Sequence, residues 1–384
     1  MQETRETLYL DHAATTPVRP EVREAMAPFL HDTFGNPSGI HGVSRRAKNA
    51  LEEARERAAE LLGAERPLEI VFTGGGTEAD NLAVAGTALA GGRRGGVVVS
   101  AVEHEAVLET ARFLATLGCT LRIVGVDRWG RVEPAHVAEA VDDDTAVVSV
   151  MAANNETGTL QSIRKIAEAV RGASPHAVVH TDAVQAYVSE EVTVASTGAD
   201  LVALASHKIG GPKGVGLLYV RDGIDLEPVI HGGGQELGRR SGTQNVAGIV
   251  GMVEAMSRTV ADREALHLLL GAVRDRFEAD LRARYPDVAV NAPLDGRLAQ
   301  HSHLRFPGVS SETLLIRLDQ RGVAAAAGSA CQSGAIEISH VLEAMGFSEE
   351  AAGECVRFTF GWDNGSEDGA EAARRVIAVL EELR

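Results

Sequence analysis

Cysteine is scarce in this 384-residue sequence, and the scarcity restricts its chemistry. The three cysteines, Cys119, Cys331 and Cys355, lie far apart and form no Cys-x-x-Cys pair. The sequence therefore predicts neither a disulfide framework nor a structural zinc site, and it favours a reduced, cytoplasmic setting. Aromatic residues make up only 4% of the chain, which argues against a protein built on stacking platforms.

Positive charge and long apolar runs are also lacking. Lys and Arg number 37 against 54 Asp and Glu, and the formal net charge of −17 opposes direct binding to nucleic acid or acidic membrane surfaces. No uncharged apolar stretch reaches the roughly 20 residues that cross a bilayer. The polar N-terminus, residues 1–7, lacks the apolar core of a signal peptide. We therefore expect a cytoplasmic enzyme that acts on a small molecule or on a partner protein.

The length and the order of patterns predict two domains. A single hydrophobic core stops growing at roughly 250–300 residues, and this chain is longer. In the first two-thirds, Val/Ile/Leu-rich runs alternate with helical patterns, which is typical of an α/β fold with a mainly parallel sheet covered by helices on both faces. The predicted helices are Ala47–Leu61 (closed by Gly63), Thr77–Leu89, Ala106–Leu117 and Ile163–Arg171. The predicted strands are Leu68–Thr73, Val97–Ser100, Thr120–Val124, Thr145–Met151, Ala177–Asp182, Leu201–Ala205 and Val215–Val220.

The last third of the chain follows a different pattern. A helical pattern runs from about Asn245 to Tyr285, and a smaller α+β unit follows it. We place the domain junction inside this helix, near Ala261, which gives a large domain over residues 15–261 and a small domain formed by residues 1–14 and 262–384. The predicted elements of the C-terminal unit are strand His303–Phe306, helix Glu312–Gln320, strand Val356–Phe360 and helix Gly369–Leu383.

Two motifs carry polar groups at the ends of predicted strands. Residues 72–78 join a strand to a helix through three glycines, and free N–H groups together with the helix dipole suit an anion there. The stretch lacks P-loop and Rossmann spacing, and a plain tight turn capped by Thr77 explains it equally well. Asp182 ends another apolar run, where open α/β sheets bind ligands, although a helix-cap or turn role is equally open.

Lys208 lies in a glycine-rich loop between two apolar strands. A desolvated lysine amine can form a Schiff base, but an isolated loop lysine usually faces solvent. The combination is more informative, because an anion site, a strand-end acid and a loop lysine, in that order, are the three parts that hold pyridoxal phosphate. The sequence therefore predicts a pyridoxal-phosphate enzyme.

Cys331 stands among small residues in the stretch Gly328–Gly334. A cysteine is often a small core hydrophobe. The flanking glycines and serines argue against burial, and an exposed thiol can act as a nucleophile, which is the role we expect for Cys331. No metal site is predicted, because the histidines lack His-Glu-x-x-His spacing and His301 with His303 is interpreted as a solvated loop pair.

The sequence resembles the cysteine desulfurases, which are class-V, fold-type-I pyridoxal-phosphate enzymes, over nearly its whole length. The resemblance is to the branch with a Ser-Gly-Ser-Ala-Cys-type loop, which includes the nitrogen-fixation and housekeeping iron–sulfur desulfurases. The matching stretches are Leu10–Pro17, Gly35–Ser38, Thr77–Asn81, Glu103–Val107, Asn154–Gly158, His180–Gln185, Ser206–Gly216, His231–Gly234, Arg240–Thr243 and Gly328–Gly334.

The resemblance implies cofactor contacts at particular positions. Lys208 would bind the cofactor as an imine and move protons, while His104 would stack on the pyridine ring and assist acid–base steps. Asp182 would pair with the ring nitrogen and Gln185 with the phenolic oxygen. The residues that would surround the phosphate are Gly76, Thr77, Ser206 and His207, joined by Thr243 from the second subunit of a homodimer.

The implied reaction is the conversion of L-cysteine to L-alanine. Asn155, which would also contact the cofactor, and Arg357 would hold the substrate carboxylate, since a guanidinium matches a carboxylate bidentately. Cys331 would take the sulfur as a persulfide and pass it to a sulfur-acceptor protein. The alternative is a selenocysteine lyase or another class-V aminotransferase or lyase. We expect Cys355, two residues before Arg357, to be a buried core residue.

Departures from the family pattern concern the phosphate site and the acceptor. Ala205 stands three residues before the lysine, where many relatives have serine, and Ala326-Ala327 replaces a common serine pair. The chain also stops at Arg384, soon after its last predicted helix, without the tail of relatives that dock on iron–sulfur scaffolds. Iron–sulfur assembly, tRNA thiolation and DNA phosphorothioation therefore all stay open as routes for the sulfur.

Overall fold

A seven-stranded sheet forms the centre of the structure, a computed structural model that describes residues 7–328 and 338–384. A short strand, β1 (Leu8–Tyr9), precedes the sheet in the sequence. All seven predicted strands are present, and their spatial order is β2-β8-β7-β6-β5-β3-β4. Their bounds are β2 Ile70–Thr73, β3 Gly96–Ser100, β4 Leu121–Val124, β5 Thr145–Ser149, β6 Val178–Asp182, β7 Leu201–Ala205 and β8 Gly216–Val220.

The sheet is mainly parallel, which confirms the predicted α/β fold. Only β8 runs antiparallel to its neighbours, β2 and β7, while the other pairs in the sheet are parallel. Helices cover both faces. Along β3, Val97 and Val99 pack with the helices on one face, and Val98 packs in the larger core on the other, because side chains alternate along a strand.

The predicted helices are all present close to their predicted positions. The second helix ends at Gly63, whose φ of 66° lies in the left-handed region, so glycine closes the helix there as predicted. The helices are α1 Pro20–His31, α2 Gly42–Leu62, α3 Gly76–Leu89, α4 Glu105–Thr116, α5 Pro134–Glu139, α6 Ile163–Ala173, α7 Val194–Thr197, α8 Val246–Arg284, α9 Ser311–Gln320, α10 His340–Ala344, α11 Glu349–Ala352 and α12 Asp368–Leu383. Among these, α1, α5, α7, α10 and α11 are present in addition to the predicted helices. None of the helices in the described ranges is long and apolar enough to span a membrane.

The long helix α8 contributes to two hydrophobic cores. Met252 and Met256, in its first half, pack in the core beneath the seven-stranded sheet. Leu270 and Phe277, in its second half, pack in a separate core with α12 and a small antiparallel sheet. Helix α8 thus passes from one core to the other between Met256 and Leu270, and the predicted junction near Ala261 falls in this interval. The domain boundary itself stays a prediction.

The second core is built around the antiparallel sheet and the N-terminal strand. The sheet has the order β12-β10-β9, and β1 pairs in parallel with β11, which brings Leu8 and Leu10 into the same core as α12. These strands are β9 Ala289–Val290, β10 His301–Arg305, β11 Val323–Ala324 and β12 Cys355–Thr359.

The interpretation of His301 and His303 as a solvated loop pair is wrong. Both residues lie in β10, and each is only 1% exposed. Burial lowers the pKa of His303 to about 3, so its ring is neutral and can be accommodated inside the protein. No group of three or more His, Cys, Asp or Glu side chains suited to a metal ion occurs among the residues that the structure describes.

Candidate active site

The carboxyl ends of the parallel strands open into a cavity of about 370 Å³. Four strands, β3, β5, β6 and β7, end at this cavity. The last residue of each strand, or a residue shortly after it, lines the cavity wall, as expected for a ligand site in an open α/β sheet. Its size lies in the range of small-molecule sites. The predicted site residues that line it are Gly76, Thr77, His104, Asn155, Asp182, Gln185, His207, Lys208 and Arg357.

Lys208 reaches this cavity from a short turn that follows β7. Its Nζ atom donates hydrogen bonds to the carbonyl oxygens of Ala13, at 2.5 Å, and Ala14, at 2.8 Å. Burial lowers the pKa of the amine to about 8; the nearby guanidinium of Arg357 acts in the same direction, and the negative charge of Asp182 opposes the shift. About a tenth of Lys208 is therefore a neutral, nucleophilic amine at pH 7, far more than for an ordinary lysine.

Asp182, the last residue of β6, places its carboxylate in the cavity wall. The residue is 7% exposed, and Oδ1 accepts a hydrogen bond from the backbone N–H of Val184 at 2.9 Å. Burial raises the pKa of Asp182, while electrostatic interactions with His104 and Lys208 and the hydrogen bond from Val184 act against the rise. A cationic group bound beside Asp182 would stabilise its ionised form.

Two further carboxyl groups lie buried near Asp182. Burial, with repulsion from Asp182 and Glu103, raises the pKa of Asp80 well above its usual range, and burial raises that of Glu103 to about 8. His180 lies between them: its Nδ1 is 2.8 Å from Ser149 Oγ and its Nε2 is 3.5 Å from Asp80 Oδ1. Burial and mutual repulsion among these three acids therefore favour the neutral forms of Asp80 and Glu103.

The N-terminus of α3 has the shape of an anion cradle. A Cβ atom at Gly76 would lie 3.2 Å from Ala205 and 3.3 Å from Val184, both of which line the cavity, so glycine keeps this wall open. The first N–H groups of a helix have no partner within it and carry the positive end of its dipole. The helix begins at Gly76, earlier than a Thr77 cap would place it. This terminus can hold a phosphate group.

Arg357 and Asn155 lie together in another part of the cavity wall. Arg357, in β12, is 4% exposed; its Nη1 donates to the carbonyl oxygen of Asn155 at 2.9 Å and its Nη2 to Asp11 Oδ1 at 2.8 Å. Its Nε atom has no hydrogen-bond partner within the described residues. A buried guanidinium with spare donor capacity beside Lys208 is suited to a substrate carboxylate.

His104 is held at the entrance of α4, where it caps the helix. Its Nδ1 accepts a hydrogen bond from the backbone N–H of Ala106 at 3.0 Å. A neutral ring in this position therefore carries its proton on Nε2. Gln185 also lines the cavity, and its Nε2 donates to the carbonyl oxygen of Ala13 at 3.0 Å.

Two of the predicted site residues that the structure describes are not among those that line the cavity. Ser206 is fully buried, and its Oγ lies against Gly211 without a hydrogen-bond partner in the described part of the chain. Thr243 is exposed, and its predicted contribution to a partner's site stays a prediction. Cys331 lies outside the described residues. The core role expected for Cys355 agrees with its 3% exposure and with burial raising its pKa to about 12.

Asp11, Asp80 and Glu156 also belong to or support the site, and no motif in the sequence predicts a role for them. Asp80 follows Thr77 by three residues, so helical spacing was a signal that both could face one cavity. The contacts of Asp11 with Arg357, and of Glu156 with Ser339, join residues far apart in the sequence, and no local pattern indicates them.

A family model described as "Aminotransferase class-V" matches residues 8–369, and the chain belongs to this family. Within this family, the relatives similar in sequence include several named cysteine desulfurase. The chain is 42% identical over 378 residues to "Cysteine desulfurase IscS" of Dictyoglomus turgidum, covering 98% of this chain and 95% of the relative.

Two solved structures show the same fold. One described as "NIFS-LIKE PROTEIN" superposes with a TM-score of 0.91 at 33% identity and covers 98% of this chain and 100% of its own. Another, "SspA in complex with cysteine", has a TM-score of 0.80 at 34% identity and covers 92% of this chain and 99% of its own. The mainly parallel sheet and the C-terminal unit are thus shared with fold-type-I enzymes of this family.

Proposed function

We propose that this protein is a pyridoxal-phosphate-dependent cysteine desulfurase that converts L-cysteine to L-alanine and transfers the sulfur to Cys331. The observation that carries the proposal is the cavity itself, in which a lysine amine of lowered pKa, a buried acid and a helix N-terminus meet around one space. The relative named cysteine desulfurase, matched over nearly the full length of both chains, supports the same activity.

The residues of the cavity fit pyridoxal phosphate. Lys208 would attach the cofactor covalently, Asp182 would pair with its ring nitrogen, and the open glycine wall at the start of α3 would receive its phosphate. Bound in this way, the cofactor supplies an electron sink that labilises bonds at the substrate α-carbon. The raised pKa of Asp182 is consistent with a site that needs a cation beside it to keep the carboxylate ionised.

The substrate is placed by its carboxylate. Arg357 offers a guanidinium that is already fixed by Asp11 and by the carbonyl of Asn155, so little side-chain freedom is lost on binding. The guanidinium of Arg357 lies near Lys208, because its positive charge contributes to the lowered pKa of the lysine amine. We therefore assign to Lys208 the removal of the proton from the substrate α-carbon and to His104 the neighbouring proton transfers.

The sulfur step belongs to Cys331. The Cys331 thiolate attacks the sulfur of the bound cysteine, the carbon–sulfur bond of the substrate breaks, and the substrate carbon is protonated to give alanine. The product on the enzyme is a Cys331 persulfide, whose outer sulfur then passes to an acceptor protein. The acceptor pathway is iron–sulfur assembly, tRNA thiolation or DNA phosphorothioation. The same proposal includes a homodimer, in which Thr243 of one subunit contacts the cofactor phosphate in the other. It also includes a cytoplasmic location.

The experiment is a single turnover with ³⁵S-labelled cysteine, followed by mass mapping of the cysteine peptides. We expect one added sulfur on Cys331 and alanine in equal amount. The variant Cys331→Ala should retain the cofactor absorbance and cysteine binding but lose both products, while Cys119→Ala, which changes a buried cysteine elsewhere, should behave as the wild type. Alanine formation by Cys331→Ala with a reductant present would reject the nucleophile and favour a selenocysteine lyase or another class-V lyase.

A further inference from the structure

We propose that Glu156 is a positioning residue for sulfur transfer, because its buried carboxyl group binds one described end of the segment that contains Cys331 and lies against the other. The inference rests on the proposed function, in which Cys331 receives the sulfur. Residues 329–337 lie between Gly328 and Ile338. Ser339, the residue after Ile338, donates a hydrogen bond to Glu156, and Gly328 lies close to the same side chain.

The contact with Ser339 fixes the C-terminal end of the segment. The Ser339 hydroxyl donates to the Glu156 carboxylate, with its Oγ 2.9 Å from Oε1 and 2.7 Å from Oε2. The same oxygen accepts from the backbone N–H groups of Val341 and Leu342, so it caps α10 at the same time. The hydroxyl group of Ser339 therefore donates to Glu156 and accepts from the first turn of the helix. The residue is buried, with 7% of its surface exposed.

The N-terminal end of the segment passes close to the same carboxyl group. Gly328 has φ of +58°, and a Cβ atom built there would lie 2.4 Å from Glu156 Oε2. Any larger residue would therefore overlap the carboxyl group and would also strain the backbone. Two residues earlier, Ala326 exchanges backbone hydrogen bonds with Arg357, at 3.2 and 2.7 Å, so the chain is already tied to β12 when it reaches Gly328.

Glu156 is itself held firmly in the cavity wall. It is 2% exposed, and its backbone N–H donates to Asn154 Oδ1 at 2.9 Å. Burial raises the pKa of its carboxyl group, whereas the Ser339 hydroxyl and the positive charges of His340 and Arg357 favour the ionised form. The anchor is therefore part of the same wall that presents Asn155 and Arg357 to the substrate.

The consequence for catalysis is distance control. Gly328 lines the cavity, and three residues of extended chain span at most about 11 Å, so a fixed Gly328 restricts how far Cys331 can be carried from the substrate. Misplacement of a reacting group by about 1 Å can reduce a rate about 100-fold. Loss of the anchor should therefore slow the attack on the substrate sulfur and leave substrate binding intact.

The test compares Glu156→Ala, Ser339→Ala and Gly328→Ala with matched controls in the holoenzyme. Ser348→Ala removes a cap from another short helix without touching Glu156, and Gly346→Ala adds the same backbone strain at φ +86° where no atom lies near the new Cβ. We expect the three test variants to lose about 10- to 100-fold in the single-turnover rate of Cys331 persulfide formation. Both controls should keep the wild-type rate, and Glu156→Gln, which still accepts from Ser339, should recover much of it.

Two further measurements separate an anchor from other roles. The spectroscopic Kd for cysteine should change little in Glu156→Ala, and a fall in binding that accounts for the lost rate would overturn the inference by placing Glu156 in substrate binding. Amide hydrogen exchange at Val341 and Leu342 should become faster in Glu156→Ala, and unchanged exchange would also overturn it. This second readout needs no catalysis, so it still tests the anchor if the wild type forms no Cys331 persulfide, a result that would reject the proposed function instead.

Discussion

The titration of Lys208 in the cofactor-free protein is the sharpest consequence of the cavity. With a pKa of about 8, about a quarter of the amine is neutral at pH 7.5, compared with about one molecule in a thousand for an ordinary lysine. The neutral amine is the form that reacts with an aldehyde, so burial makes Lys208 about 200-fold more available for cofactor attachment at this pH.

Competitive acetylation measures this pKa directly. Trace acetic anhydride is added to the apo-protein between pH 6 and 11, and the extent of labelling of each lysine peptide is read by mass spectrometry. The sequence holds only four lysines, and the other three, Lys48, Lys165 and Lys213, are exposed internal comparisons. We expect half-maximal reactivity of Lys208 near pH 8. A Lys208 curve that coincides with those of the exposed lysines would refute the reasoning from burial.

Two variants test the sign of the electrostatic contributions. Arg357→Gln removes a positive charge that disfavours the ammonium form, so the Lys208 midpoint should rise. Asp182→Asn removes a negative charge that favours it, so the midpoint should fall. Burial remains in both variants and should keep the midpoint below that of the exposed lysines. Shifts in the same direction in both variants would show that changes in packing, and not charge, control this amine.

Three other predictions concern stability and helix capping. Phe277→Ala empties a fully buried site between two other phenylalanine rings and should cost about 3–5 kcal/mol of unfolding free energy in urea titrations, whereas a cost below about 1 kcal/mol would contradict the close packing. Glu236→Ala removes the buried partner of Arg55 and leaves only the partly exposed Glu52 as its counter-charge, which should cost about 3 kcal/mol, and a double variant with Arg55→Met should recover part of that loss. His104→Asn can still accept from Ala106 and cap α4, so circular dichroism and melting should stay close to the wild type while desulfurase activity falls; retained activity would remove His104 from the proton transfers.

The fold was largely predictable because its patterns are local. The strands of the main sheet are short apolar runs, and Gly63 closes its helix through a backbone conformation that glycine adopts readily. The histidines of β10 show the limit of such patterns. Two imidazoles separated by one residue look polar and exposed in the sequence, yet burial simply keeps His303 neutral, and a neutral ring can pack in a strand.

The candidate site was predictable where its residues follow a strand end or a glycine turn, as Gly76, Asp182 and Lys208 do. The contacts that hold these residues were not. Asp11 reaches Arg357 only because the N-terminal segment runs beside β12, and Glu156 reaches Ser339 across a separation of 183 residues. Such contacts depend on tertiary packing, which no spacing in a single sequence reports.

The pairing of residues 10–13 with β12 has a consequence for biosynthesis. Leu10 accepts from the backbone N–H of Thr359, and the backbone N–H of Ala13 donates to Thr359 Oγ1, so an early segment is held by a residue 346 positions further along the chain. The carbonyl of Ala13 is also a partner of the Lys208 amine. During translation the main sheet can assemble while Lys208 still lacks this partner. Capture of the cofactor is therefore expected only after β12 has been synthesised and has paired with residues 10–13.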